Sequence, residues 1–235
     1  STLDMDAFFA GYDELLEFCG FAQMNHFGTR ILAGPNWKIS FDGYVDFYHL
    51  PILHKNTFGP DMSPDALFHR VGPHQRVTGP RGNWAKLEDR PTSEWPESVL
   101  TGGVWSIFPH GSIAGFEILG HKFYQVGRVF PGATAEESVT HLDFISTAPL
   151  TDEFIEAANQ QIAFLENVVR DEDYATGLKI QRTVKTGAKK VLHFGRNEGG
   201  AQYMHGWLDA LLKTSDDDLN DLFRTGIDAG RITNY

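Results

Sequence analysis

Cysteine is almost missing: Cys19 is the only one in 235 residues, so no internal disulfide forms and no cysteine pair exists to build a zinc ribbon or an iron–sulfur site. Basic charge is scarce too. Twenty Lys and Arg stand against 31 Asp and Glu, a net charge of −11, and nothing resembles a basic stripe that could displace phosphate counterions, so no nucleic-acid partner is expected. There is no long apolar run. The longest uncharged stretch, SVLTGGVWSIFPHGSIAGF (98–116), is broken by Gly102, Gly103, Pro109 and Gly111 and reads as two buried strands joined by a turn, with no membrane span. The opening STLDMDAFF lacks the basic start and apolar core of a signal peptide, and it lacks an initiator Met. A cytoplasmic chain, processed or excised from something longer, is the expectation. GRNEGG (195–200) has no Lys-Ser/Thr and no dinucleotide pattern, so it is not a phosphate loop.

What is present suffices for one core. With 41% hydrophobic and 13% aromatic residues, residues 1–235 fit a single domain. Pro60, Pro64, Pro73, Pro80, Pro91 and Pro96 mark 55–100 as loop-like excursions. GGVWSIF, SIAGFEILG, KFYQVGRVF and SVTHLDFIST predict an antiparallel meander over about 102–146, with an earlier strand in FAQMNHFGTRIL (21–32). The strongest helix lies within 149–187: Thr151 is its N-cap, and Phe154, Ile155, Ala158, Ile162, Leu165 and Val169 recur at helical spacing. Another helix is expected over about 200–214. The fold class is α+β, with a curved antiparallel sheet wrapped around a helix.

The stretch NWKISFDGYVDFYHLPILHKNTFGP (36–60) gathers Asp42, Asp46, His49 and His54 in an aromatic setting. A His pair at one spacing is cheap among ten histidines, but an acid fixed three residues before the first His lowers the chance expectation to roughly 0.05. On a continuous helix Asp42, Asp46 and His49 share a face. Pro51 should end or kink that helix near Leu50 and let His54 swing back towards His49, with Asp46 orienting the His49 ring. The bland alternative is two partly buried histidines under loops. Tyr44, Phe47, Tyr48 and Leu50 weigh against it, because an apolar wall makes unpaired imidazoles costly unless they are coordinated or hydrogen-bonded. His69, His74, His110, His121, His141, His193 and His205 lack ligand spacing and receive no role.

NWKISFDGYVDFYHLPILH resembles the iron-binding segment in the catalytic domain of Rieske-type non-haem iron oxygenase α subunits, the terminal oxygenases of aromatic-ring hydroxylation. The resemblance implies that His49 and His54 are iron ligands and Asp46 the bridging acid beside His49. Gly43 stands where many members have Asn. The residues of VVRDEDYATGLKIQR leave Asp171, Glu172 and Asp173 as near-equal acids, with a solvated helix face as their plain reading. The family's spacing of eight residues to a Gln, here Gln181, points to Asp173 as third ligand. The match is strongest over 36–60 and weaker around 165–207, which includes MHGWLDALL. It implies a helix-grip (START/Bet v1-like) fold wound on the long C-terminal helix.

Two His and one carboxylate on one face leave positions open for dioxygen and substrate. The resemblance favours mononuclear Fe(II) and hydroxylation, single or cis-dihydroxylation, of a hydrophobic, aromatic small molecule. It implies electrons from a Rieske 2Fe–2S cluster fed by a ferredoxin or reductase, and a homotrimer with or without a small β subunit. Cys19 alone cannot hold that cluster, so the Rieske domain is expected to be removed or encoded separately, and the chain to be inactive without a donor. Trp105, Ile107, Phe108, Phe116, Phe123 and Phe144 could line an apolar pocket, though such residues are more often core. Two other functions fit the residues: a zinc hydrolase using the same ligands, and a non-catalytic helix-grip module for a hydrophobic ligand.

Overall fold

Period-two alternation of large apolar with small or polar residues places seven strands in one antiparallel sheet. The computed structural model describes residues 2–79, 87, 89–95 and 102–227. The strands are β1 Asn25–Gly34, β2 Leu67–Val71, β3 His74–Thr78, β4 Val104–Ile107, β5 Gly111–Ile118, β6 His121–Pro131 and β7 Ser138–Ser146, in the order β1-β7-β6-β5-β4-β3-β2. The expected meander is β4 to β7. Residues 98–101 of the long uncharged stretch, like Pro80 and Pro96, lie outside the described residues. The loop reading of 55–100 needs correction, because β2 and β3 form a hairpin in which Val71 pairs with His74. Its two loop residues are Gly72, with φ of +52°, and Pro73; a positive φ followed by a proline-fixed negative one is the type II′ pattern.

The described helices are α1 Met5–Phe9, α2 Tyr12–Phe18, α3 Trp37–Val45, α4 Leu50–Leu53, α5 Asp152–Val168, α6 Ala175–Lys185, α7 Gly199–Leu211 and α8 Leu219–Thr225, with a π-helical segment, Val169–Tyr174, joining α5 to α6. Thr151 caps α5 by accepting the Phe154 N–H. Both faces of the sheet are covered. Phe123, Leu142 and Phe144 pack under α5 against Phe154, Ala158, Ile162 and Leu165. Tyr124, Trp105 and Ile113 face the other way, against Tyr12 and Cys19. On the α5 side, farther along β6, Val129 meets Phe41 and Val45 of α3 together with Met204 and Trp207 of α7. A fully buried side chain of this size contributes roughly 1.5–3 kcal/mol, so these clusters hold α3, α5 and α7 over one side of the sheet.

Candidate metal centre

Asn36 starts α3: its side chain accepts the Lys38 N–H at 2.9 Å, and its own N–H donates to Gln181 Oε1 on α6 at 3.1 Å. The helix stops at Val45. Asp46 is extended, at φ −117° and ψ 125°, and its Oδ1 accepts the Tyr48 N–H at 2.7 Å. A short acid that bonds its own downstream backbone offers the chain an alternative to the helical bond. The continuous helix expected as far as Leu50 is therefore absent, and Asp42 shares no face with His49; Asp42 Oδ1 instead lies 2.9 Å from Nε2 of His205 on α7. Pro51 ends no helix either. It occupies the first turn of α4, where its missing N–H has no helical partner to lose. His49 precedes that turn as N-cap and His54 follows it as C-cap, which brings the two rings within 5.1 Å, centroid to centroid.

The third component arrives from the π-helical segment, a local widening of the helix common at functional sites. It separates three consecutive acids. Asp171 pairs at the surface with Arg170 at 2.7 Å. Asp173 Oδ1 lies 3.5 Å from His49 Nε2 and 3.3 Å from His54 Nε2. Glu172 Oε2 sits behind His54, 2.5 Å from Nδ1, and also accepts from Thr57 Oγ1 at 3.1 Å. Asp46 Oδ2 does the same for His49, 3.2 Å from its Nδ1. Thr57, and the part Glu172 plays behind His54, are what sequence reading missed. Only Glu172 carried a signal, its place beside Asp173.

His49, His54 and Asp173 each offer a ligand atom within 4.8 Å of the others, and they form the one such cluster among the described residues. Donors about 2.1 Å from an ion on adjacent octahedral positions stand about 3 Å apart, so the Asp173 contacts fit. With Nδ1 of each ring facing a carboxylate, both Nε2 atoms are left pointing at the Asp173 oxygen. The ring of His54 is 1% exposed and stacks on Phe58 at 4.6 Å, which keeps water from that flank.

The charges are mutually set. Burial disfavours the His49 imidazolium, yet hydrogen bonds to Asp173 and Asp46 outweigh it and lift the pKa to about 9. His54 is raised as well, against its burial, by Asp173 and then Glu172. Burial would raise Asp173, but the two imidazoles hold it below the usual carboxylate range. Asp46 is likewise lowered, against its burial, by His49 and the Tyr48 N–H. Both shifts favour the protonated rings, so a divalent cation binding at the Nε2 atoms would compete with protons there.

Residues 21–214 match the family described as ring hydroxylating alpha subunit (catalytic domain). Solved structures share the fold: the quaternary ammonium Rieske monooxygenase CntA with an inhibitor (17% identity, TM-score 0.67, 89% of this chain and 56% of that one), NdmA of Pseudomonas putida CBB5 (14%, 0.53, 88% and 58%) and dicamba monooxygenase bound to 3,6-dichlorosalicylic acid (10%, 0.53, 81% and 60%). The chain spans a little over half the length of these proteins. No curated sequence matches it. No helix among the described residues is long and apolar enough to cross a membrane. With the match running through both histidines and the acidic π-helical segment, the chain belongs to the catalytic-domain family of the ring-hydroxylating Rieske oxygenase α subunits.

Proposed function

We propose that residues 1–235 are a single helix-grip catalytic domain that binds mononuclear Fe(II) through His49, His54 and Asp173 and hydroxylates a small organic substrate with dioxygen. The observation that carries this reading is the convergence of both Nε2 atoms on one Asp173 oxygen. Bound there, ferrous iron would supply the reduction of dioxygen and the transfer of oxygen to the substrate. The chain's own residues prepare the site. Asp46 takes the Nδ1 proton of His49 as a hydrogen bond and Glu172 that of His54, so each ring presents a lone pair from Nε2 and cannot turn away. Phe47, Leu50 and Phe58 surround this turn with apolar surface that limits water.

Electrons must come from outside the described chemistry, since Cys19 cannot hold a cluster alone. Asp46 is bonded to His49 and 18% exposed, the position from which a group on the ligand shell faces outward. It is proposed to bridge the iron to a Rieske 2Fe–2S cluster on a neighbouring subunit of a trimer, itself fed by a ferredoxin or reductase. Metal analysis after anaerobic reconstitution should find about one iron per chain, absent in His49→Ala. Asp46→Asn should keep its iron and lose product formation in the complete electron-transfer system. Zinc in place of iron, or iron retained by His49→Ala, would sink the assignment.

A further inference from the structure

The sheet face towards α3 carries polar side chains where a core would be apolar. Gln75, Ser106, Ser112 and Gly127 are successive cross-strand partners on β3, β4, β5 and β6. Gln125 alternates with Gly127 and Val129, so all three project to the side on which Val129 meets Phe41 and Val45 of α3. None of the four polar side chains reaches solvent: Gln75, Ser106, Ser112 and Gln125 are each at most 4% exposed. Yet Gln75 Oε1, Ser106 Oγ and Gln125 Oε1 find no hydrogen-bond partner among the described residues. Each buried group left unpaired costs about 1–3 kcal/mol, and three on one face point to a partner that comes and goes.

The chemistry of that partner can be read from Gln75. Its Nε2 donates to Gly200 O at 2.9 Å, which fixes the amide and leaves Oε1 as an acceptor in need of a donor. The row also leads to the metal centre. A Cβ on Gly127 would stand 2.6 Å from Ser112 Oγ, so the missing side chain leaves room for that hydroxyl, and the Tyr44 hydroxyl of α3 reaches the same spot, 3.7 Å from it. Val77, the next residue on the Gln75 face of β3, packs in one cluster with Phe47 and Leu50, which lie on either side of His49 in the chain. The aromatic residues expected to form one apolar pocket do not compete for this place. Trp105 and Ile107 pack in one cluster, Phe108 in a second, and Phe116, Phe123 and Phe144 in a third.

We propose that Gln75, Ser106 and Gln125 determine specificity by accepting hydrogen bonds from the substrate, which is therefore a small molecule bearing hydroxyl, amine or amide donors and not a plain hydrocarbon. This rests on the oxygenase reading, since proximity to the ligand set is what makes the row a substrate site. Calorimetry on the iron-loaded full chain with toluene, benzyl alcohol and benzylamine tests it. The wild type should bind a donor-bearing probe about tenfold more tightly than toluene, and the double variant Ser106→Ala, Gln125→Met should lose that preference while still taking toluene. Its ligand-free Tm should stay level or rise, because apolar groups replace unpaired polar ones. Uptake of toluene equal to the polar probes, no uptake of any polar probe at millimolar concentration, or an undiminished preference in the double variant overturns the proposal. So does a Tm lower by several degrees, which would mean that resident water already satisfies these atoms. Iron measured on the same samples separates the two readings: its absence defeats the oxygenase proposal, whereas the donor preference is read from binding without turnover.

Discussion

Three consecutive acids, Asp171, Glu172 and Asp173, have three different surroundings: a surface arginine, the back of a buried imidazole, and the gap between two Nε2 atoms. Glu172→Gln keeps the shape but gives up the charge-assisted bond to His54. It should weaken iron binding about 10- to 100-fold without abolishing it, as removal of a ligand's supporting partner does. Asp171→Asn, which touches neither ring, should leave iron binding unchanged. Competition with a chelator measures both, and equal affinities in the wild type and Glu172→Gln would remove Glu172 from the site. Sequence reading left the three acids near-equal: spacing from Val169 puts Glu172 and Asp173 together on the inward side, at i+3 and i+4, and the π-helical segment that gives them different tasks has no motif of its own. Family spacing to Gln181 pointed to Asp173 by an indirect route: Gln181 accepts from the Asn36 N–H and so ties the helix that follows the acids to the one that precedes the histidines.

At the scale of elements, what was legible was periodicity sustained over many residues: the helix capped by Thr151 and the four strands of the meander. What was not legible were breaks settled by one side chain. Asp46, four residues after Asp42, reads as one more polar residue on a helical stripe, and only its bond to the Tyr48 N–H reveals that α3 has ended. The β2–β3 hairpin was hidden because its turn uses Pro73 among prolines that otherwise mark loops. The α4 turn depends on a further local feature. Gly59 donates its N–H to His54 O at 2.9 Å, and a Cβ there would lie 2.4 Å from Leu50 O and 2.7 Å from the His54 carbonyl carbon. Those are backbone atoms of the turn that aims His54, and they cannot swing aside as a flexible side chain would. Gly59→Ala should therefore destabilise the fold by about 1–3 kcal/mol and reduce iron occupancy with it. Chelator competition alongside thermal unfolding checks this, and a variant that matches the wild type in both would show that the turn tolerates displacement.

For the whole molecule, the metal centre is assembled from segments more than a hundred residues apart, so its geometry depends on how the sheet and its covering helices are held together. On the face away from α3, His74 is one such fastening. Its imidazole is fully buried, lies 3.0 Å from Phe8 O through Nε2, and accepts the Phe108 N–H at Nδ1 over 3.1 Å. It also stacks on Tyr12 at 4.9 Å. Both ring nitrogens are satisfied by one neutral tautomer, with Nε2 donating and Nδ1 accepting, and a second proton would face the Phe108 N–H. Burial accordingly lowers the pKa to about 4 from an ordinary 6.5, only partly offset by the Phe8 carbonyl and Asp13. The unfolded chain then binds a proton that the folded one refuses, so stability rises with pH between those two values and falls on acidification from 6.5 towards 4. A gap of this size corresponds to about 3 kcal/mol. Carboxylates titrate over the lower part of the same range, and the comparison with His74→Gln removes their share. At neutral pH the wild type should be the more stable, through its two bonds and ring stacking; its lead in unfolding free energy from urea titration should shrink by up to about 3 kcal/mol by pH 4. If the two stability curves run parallel from pH 7 to pH 4, His74 is not the group whose protonation loosens α1 from the sheet.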